Sequence, residues 1–118
     1  MLNVSGQSPF SRIPPRDSEV WKTPMFEQYW RIREGLGDVI CFYRMGDFYE
    51  LFGQDAVTAA PILEVQLTAR DKEAEIPVPM CGVPFHAWES YVERLLSKGF
   101  KIALCEQLTA PGKAKLVE

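Results

Sequence analysis

Apolar positions along this chain fall into a helical stripe, an unbroken run and a second helical stripe, and these three patterns set the expected architecture. Met25, Tyr29, Ile32 and Leu36 recur at helical spacing, with Phe26 and Trp30 widening the stripe. Thr23-Pro24 ahead of them supplies an N-cap and a proline at the first helical position, where its missing N–H is harmless. Gly35 and Gly37 stop this helix, and Arg31 and Arg33 fall on what reads as its solvated face. Val39 to Tyr43 is apolar at every position, which predicts an interior strand covered on both sides. The run breaks at Gly46-Asp47, a turn or bulge signal. If the chain stays extended beyond it, Phe48 and Glu50 lie two apart and project to the same side.

The remaining elements read less cleanly. Asp55 to Leu63 has a helical pattern led by an acidic residue, with Pro61 placed to kink or end it. Val65 to Thr68 alternates as a strand would, and Arg70 stands at the mouth of a charged loop, Asp71 to Glu75. Three prolines between Ile76 and Pro84 predict that the strand there, Val78 to Gly82, pairs along one edge only. His86 opens the second stripe, Trp88, Tyr91, Val92, Leu95 and Leu96, and Gly99 follows Lys98 as a C-cap signal. Phe100 to Cys105 is a compact strand, and Ala114 to Val117 a short one after the polar stretch around Pro111-Gly112. Helices alternate with strands, so the expected fold is α/β: a mixed sheet of about five to six strands flanked by about three helices. Residues 1–22 lack either periodicity and read as a flexible arm before a domain spanning 23–118. The arginines in Ser11-Arg-Ile-Pro-Pro-Arg16 suit a minor-groove arm, but a solvated tail is the preferred reading.

Composition narrows the class. A chain of 118 residues, 47% of them apolar, suits one globular domain with a core that needs no metal or disulfide. Its three cysteines, Cys41, Cys81 and Cys105, all sit in apolar, strand-like surroundings and read as reduced core residues of a cytosolic protein. No signal-peptide pattern opens the chain and no run approaches membrane-spanning length, so it is expected to be soluble and not exported. A net charge of −3 provides no strong phosphate-attracting field, so this piece alone is expected to bind DNA weakly.

The nonapeptide Phe42-Tyr-Arg-Met-Gly-Asp-Phe-Tyr-Glu50, followed by Leu51-Phe52, resembles the signature of the N-terminal mismatch-recognition domain of the MutS family of DNA mismatch repair proteins. The similarity extends from Thr23 to Gln107. It includes Thr23-Pro24-Met25, Asp55-Ala56, Leu67-Thr68 with Arg70, Ile76-Pro-Val-Pro-Met80, Gly82-Val83-Pro84, His86-Ala87 and Ala103-Leu-Cys-Glu-Gln107. Pro61 and the loop Asp71 to Glu75, which lacks an expected glycine, depart from it.

The resemblance implies an α/β domain that binds mismatched double-stranded DNA. In it Phe48 wedges into the mispaired step from the minor groove and Glu50 hydrogen-bonds the mispaired base. Carried over by position, Met45 lies near the minor groove and Arg70 contacts a phosphate. Arg44 is either a phosphate contact or an internal ion-pair partner, with the latter favoured. On composition alone Phe48 would be one more core aromatic; the resemblance reverses that reading. A carboxylate beside a polyanion is unfavourable, so either a protonated Glu50 donates to a base or its repulsion penalises undistorted duplex, and the sequence leaves both open. The resemblance also implies a longer parent: a cytoplasmic, DNA-associated bacterial protein that dimerises through other domains and works with a MutL-type partner. This parent hydrolyses ATP with Mg in a separate ATPase domain. No phosphate-binding loop of the form G-x-x-x-x-G-K-[ST] occurs here, so this fragment is expected to be no enzyme and to hold no cofactor.

Two other classes compete. One is a protein-interaction module using a Phe48–Phe52 patch. The other is a metal-dependent nuclease using Asp47, Glu50 and Glu64, since hard cations need clustered oxygen ligands; no lysine accompanies that turn, and Asp47 and Glu50 point oppositely on an extended strand. The cysteines are too far apart in sequence for a zinc motif, and His86, the single histidine, reads as a cap or packing residue.

Overall fold

In the computed structural model, which describes residues 9–106 and 113–117, a single mixed sheet forms the centre of the domain. Its strands are β1 (Ile40–Met45), β2 (Phe48–Phe52), β3 (Thr68–Arg70), β4 (Val78–Pro84), β5 (Ile102–Glu106) and β6 (Lys113–Val117), ordered β3-β4-β2-β1-β5-β6. Only the β1–β5 pair is parallel. Three helices flank the sheet: α1 (Pro24–Arg33), α2 (Gln54–Leu63) and α3 (Trp88–Ser97).

The central strands are apolar on both sides because both sides are covered. Ile40, Phe42, Tyr49, Leu51, Cys81 and Val83 face α2 and α3. Cys41, Tyr43, Phe52 and Val78 face α1, which contributes Phe26, Tyr29 and Ile32. Tyr29 and Phe52 meet edge to face at 5.1 Å, as do Phe26 and Phe52. The α1 start follows its sequence signal: Thr23 Oγ1 accepts from the Phe26 N–H at 3.2 Å and satisfies a donor the first turn leaves open. At the other end of α3, Gly99 has φ +90° and donates to the Leu96 carbonyl.

Several expectations are corrected. Helix α2 continues through Pro61 to Leu63, with Pro61 on its exposed side; Glu64, in the left-handed region at φ 58°, ends it. The strand expected at Val65–Thr68 is displaced to Thr68–Arg70. Asp71 adopts φ 62° immediately afterwards, taking the conformation for which the loop lacks a glycine. Strand β4 pairs on both edges, with β2 and with β3, and runs on to Pro84 despite its prolines. Arg33 is not on a solvated face: it donates to both Asp55 carboxylate oxygens, at 3.0 and 3.2 Å, and to the Gly37 and Val39 carbonyls. Asp55 also accepts the Cys41 N–H, so this largely buried pair ties α1, β1 and α2 together.

Of the expected arm, residues 1–8 lie outside the described residues, as does the polar stretch 107–112. The arm's end is not free. Val20 and Trp21 are buried, with Trp21 only 2% exposed and edge-on to both Phe26 and Trp30. No described helix is long and apolar enough to cross a membrane.

Candidate nucleic-acid interface

The break in the apolar run is a tight hairpin. Met45 pairs with Phe48 across Gly46-Asp47, and Gly46 takes φ 60°, as this kind of connection requires. The chain is extended on both sides of the turn, so the expected alternation holds. Tyr49 and Leu51 face α2 and α3, while Phe48, Glu50 and Phe52 face the α1 side.

Helix α1 covers that face only in part. Phe52 is sealed beneath Phe26 and Tyr29, whereas Phe48 at the hairpin end is 47% exposed. Register gives the neighbours: Phe48 lies between Met45 and Pro84, and Glu50 between Tyr43 and Gly82. Directly paired residues share a face, so Met45, Phe48, Pro84, Glu50 and Gly82 form one partly exposed strip across three strands. Met45 is half-buried against the α1-side core. Arg70, at the end of β3 and paired with Val78, is on the same side, exposed, and near an open hollow of about 520 Å³ beside the start of α1.

Glu50 is half-buried on this strip, and burial raises its carboxyl above the ordinary carboxylate range while the Arg70 charge pulls it back. Arg44 alternates to the opposite face. Its guanidinium stacks on the Phe85 ring at 3.3 Å and lies 3.6 Å from Glu106, so the ion-pair reading of Arg44 is the one the geometry supports. Glu106 also accepts the Tyr49 hydroxyl, and the Phe85 N–H donates to the Asp47 carbonyl at 2.7 Å, fixing the hairpin from behind.

The competing classes fare differently. A Phe48–Phe52 apolar patch does not form, because Tyr49, Leu51 and Phe52 are all buried and Phe48 is the one exposed apolar side chain among them. Asp47 lies in the turn, Glu50 on the α1 side, and Glu64 beyond the end of α2 on the other side; among the described residues no three His, Cys, Asp or Glu side chains gather to hold a metal ion. His86 lies in the short turn before α3.

Comparison with known proteins decides the family, since the profile of MutS domain I matches residues 23–118. The chain belongs to the MutS domain I family. Similar proteins include the DNA mismatch repair proteins MutS of Nitratidesulfovibrio vulgaris, 57% identical over 93 residues, and of Syntrophobacter fumaroxidans, 55% identical over 93 residues, each alignment covering 79% of this chain. That of Lawsonia intracellularis is 61% identical over 85 residues, 72% of this chain. The aligned stretch is 10% of the length of each of these relatives. The MutS domain I is thus a small part of each of these mismatch repair proteins.

Proposed function

We propose that this domain is the mismatch-probing part of a longer MutS-type repair protein. The observation that carries this reading is one half-exposed aromatic ring, Phe48, standing at a hairpin rim with a half-buried carboxylate, Glu50, two residues along the same face. Phe48 enters the minor groove and wedges between base steps; Glu50 hydrogen-bonds the mispaired base; Met45 flanks the groove; Arg70 contacts a phosphate. Discrimination is mainly a difference in deformation energy. Opening a stacked step costs a few kcal/mol, and a mispaired step, already poorly stacked, costs less. The parent acts as a homodimer in the bacterial cytoplasm, is an ATPase using ATP and Mg in another domain, and works with a downstream repair protein of the MutL type.

The magnitude follows from exposure. With Phe48 47% exposed, an aromatic side chain of roughly 200 Å² has about 90 Å² left to bury. At about 25 cal/mol per Å² that is about 2 kcal/mol, close to thirtyfold in affinity. In the full-length protein, Phe48→Ala is therefore expected to weaken binding to a mismatched duplex about thirtyfold while changing matched-duplex binding much less, in parallel titrations at one salt concentration. Equal losses on both duplexes, or none on either, would overturn the reading. Metal-dependent nicking lost on Asp47→Ala would replace it with the nuclease class.

A further inference from the structure

Gly82 is in the interior of β4, where glycine weakens a strand, and its own backbone does not call for one. Gly37, Gly46, Gly53 and Gly99 take positive φ; Gly82 does not. What a side chain at this position would meet is Glu50. A Cβ built on Gly82 would lie 2.6 Å from Glu50 Oε2, 3.0 Å from Cδ and 3.1 Å from Oε1, so its three nearest atoms all belong to one carboxyl group. Glu50 has two direct cross-strand neighbours on this face. One is Tyr43, fully buried, and the other is Gly82. The carboxyl lies on the glycine side, over the backbone of β4, in the place a side chain at residue 82 would occupy.

We propose that Gly82 is a positioning residue for Glu50: by lacking a side chain, it lets the carboxyl rest flat on the sheet beside Phe48 instead of standing up from it. This rests on the reading of Glu50 as the group that meets the mispaired base. Phe48 and Glu50 project from the same face, so their relative height decides which reaches the duplex first. A flat carboxyl lets the ring lead. Any side chain at residue 82 lifts the carboxyl by most of an ångström or turns it outward, so that the carboxyl arrives ahead of the ring and the base contact is lost. Displacements of that size matter wherever interacting groups must be aligned. The atoms that must move are the far end of a flexible side chain, so the fold itself is expected to tolerate the change.

The test compares Gly82→Ala, Glu50→Ala, Phe48→Ala and the Gly82→Ala/Glu50→Ala double variant in the full-length protein. Each is titrated against mismatched and matched duplexes of one length at fixed salt, with its melting temperature measured alongside. Gly82→Ala is expected to lower the ratio of mismatched to matched affinity about tenfold, the usual scale of a hydrogen bond to a charged group, without lowering the melting temperature. In the Glu50→Ala background the same substitution is expected to change nothing, because the group it displaces is gone. The inference is overturned if Gly82→Ala keeps the ratio while Phe48→Ala and Glu50→Ala lose it, or if it lowers the ratio equally with and without Glu50. Should Phe48→Ala and Glu50→Ala themselves leave the ratio intact, the reading of the strip fails and this inference with it.

Discussion

Trp21 precedes the first residue matched by the family profile, yet it is among the largest fully buried side chains in the domain. Its ring is edge-on to Phe26 at 4.8 Å and to Trp30 at 5.1 Å. It also packs on the backbone between β2 and α2: a Cβ at Gly53 would lie 3.5 Å from the Trp21 ring. Its indole N–H donates to the Pro14 carbonyl at 3.3 Å. Trp21→Ala removes the ring and leaves a cavity between α1 and the preceding segment, for which large-to-small changes of this kind cost about 4 kcal/mol. Domains of this size have roughly 5–15 kcal/mol in total, so the loss is a large fraction. At about 4 °C per kcal/mol, the melting temperature of the 118-residue chain should fall by about 15 °C when followed by circular dichroism. A chain trimmed to begin at residue 23 should fall by at least as much. Arg16→Ala is the control. Its ion pair with Glu34 is exposed on both sides and should be worth less than about 1 kcal/mol. A Trp21→Ala chain melting within about 4 °C of the unmodified one would refute the reasoning.

Two further outcomes follow from buried charge. Asp55→Ala strands the Arg33 guanidinium and the Cys41 N–H, and urea titration should show about 3 kcal/mol lost; a loss under about 1 kcal/mol would mean the pair is dispensable. Burial holds the folded Glu50 carboxyl above its unfolded value, so its contribution is fully present at low pH and is lost as pH rises through the raised value. Glu50→Gln should therefore raise the melting temperature at neutral pH, with the gain vanishing on acidification. In mismatch binding, a protonated Glu50 predicts affinity that climbs as pH falls and a flat profile for Glu50→Gln. A pH-independent unmodified protein would leave the repulsion reading instead.

Local chemistry explains which elements were legible in the sequence. Thr23-Pro24 and Gly99 marked helix ends because caps are local, and Val39 to Tyr43 declared its burial because both faces were apolar. The role of Arg33 is hidden in the sequence because its partner lies 22 residues away, and an amphipathic pattern cannot report a charge waiting across the fold. The two-sided pairing of β4 is hidden because prolines argue against a central strand, yet Pro79 is placed where its carbonyl is useful, accepting the Gly53 N–H at 2.8 Å. At the interface, alternation alone placed Phe48 and Glu50 on one side. Gly82 belongs to the resembling motif Gly82-Val83-Pro84, and a glycine inside a strand pattern is itself the signal of a close approach.

Strand β2 is gripped along its length by ladders on either hand, to β1 and to β4, and its far end is clamped by Phe52 among Phe26, Tyr29 and Tyr43. Anything that presses on the Phe48 ring therefore pushes against a braced beam rather than a supple finger. The compliance in such an encounter resides in whatever the ring meets, so the stiffness of the opposing stack, and not the give of the protein, determines how far the two can interlock.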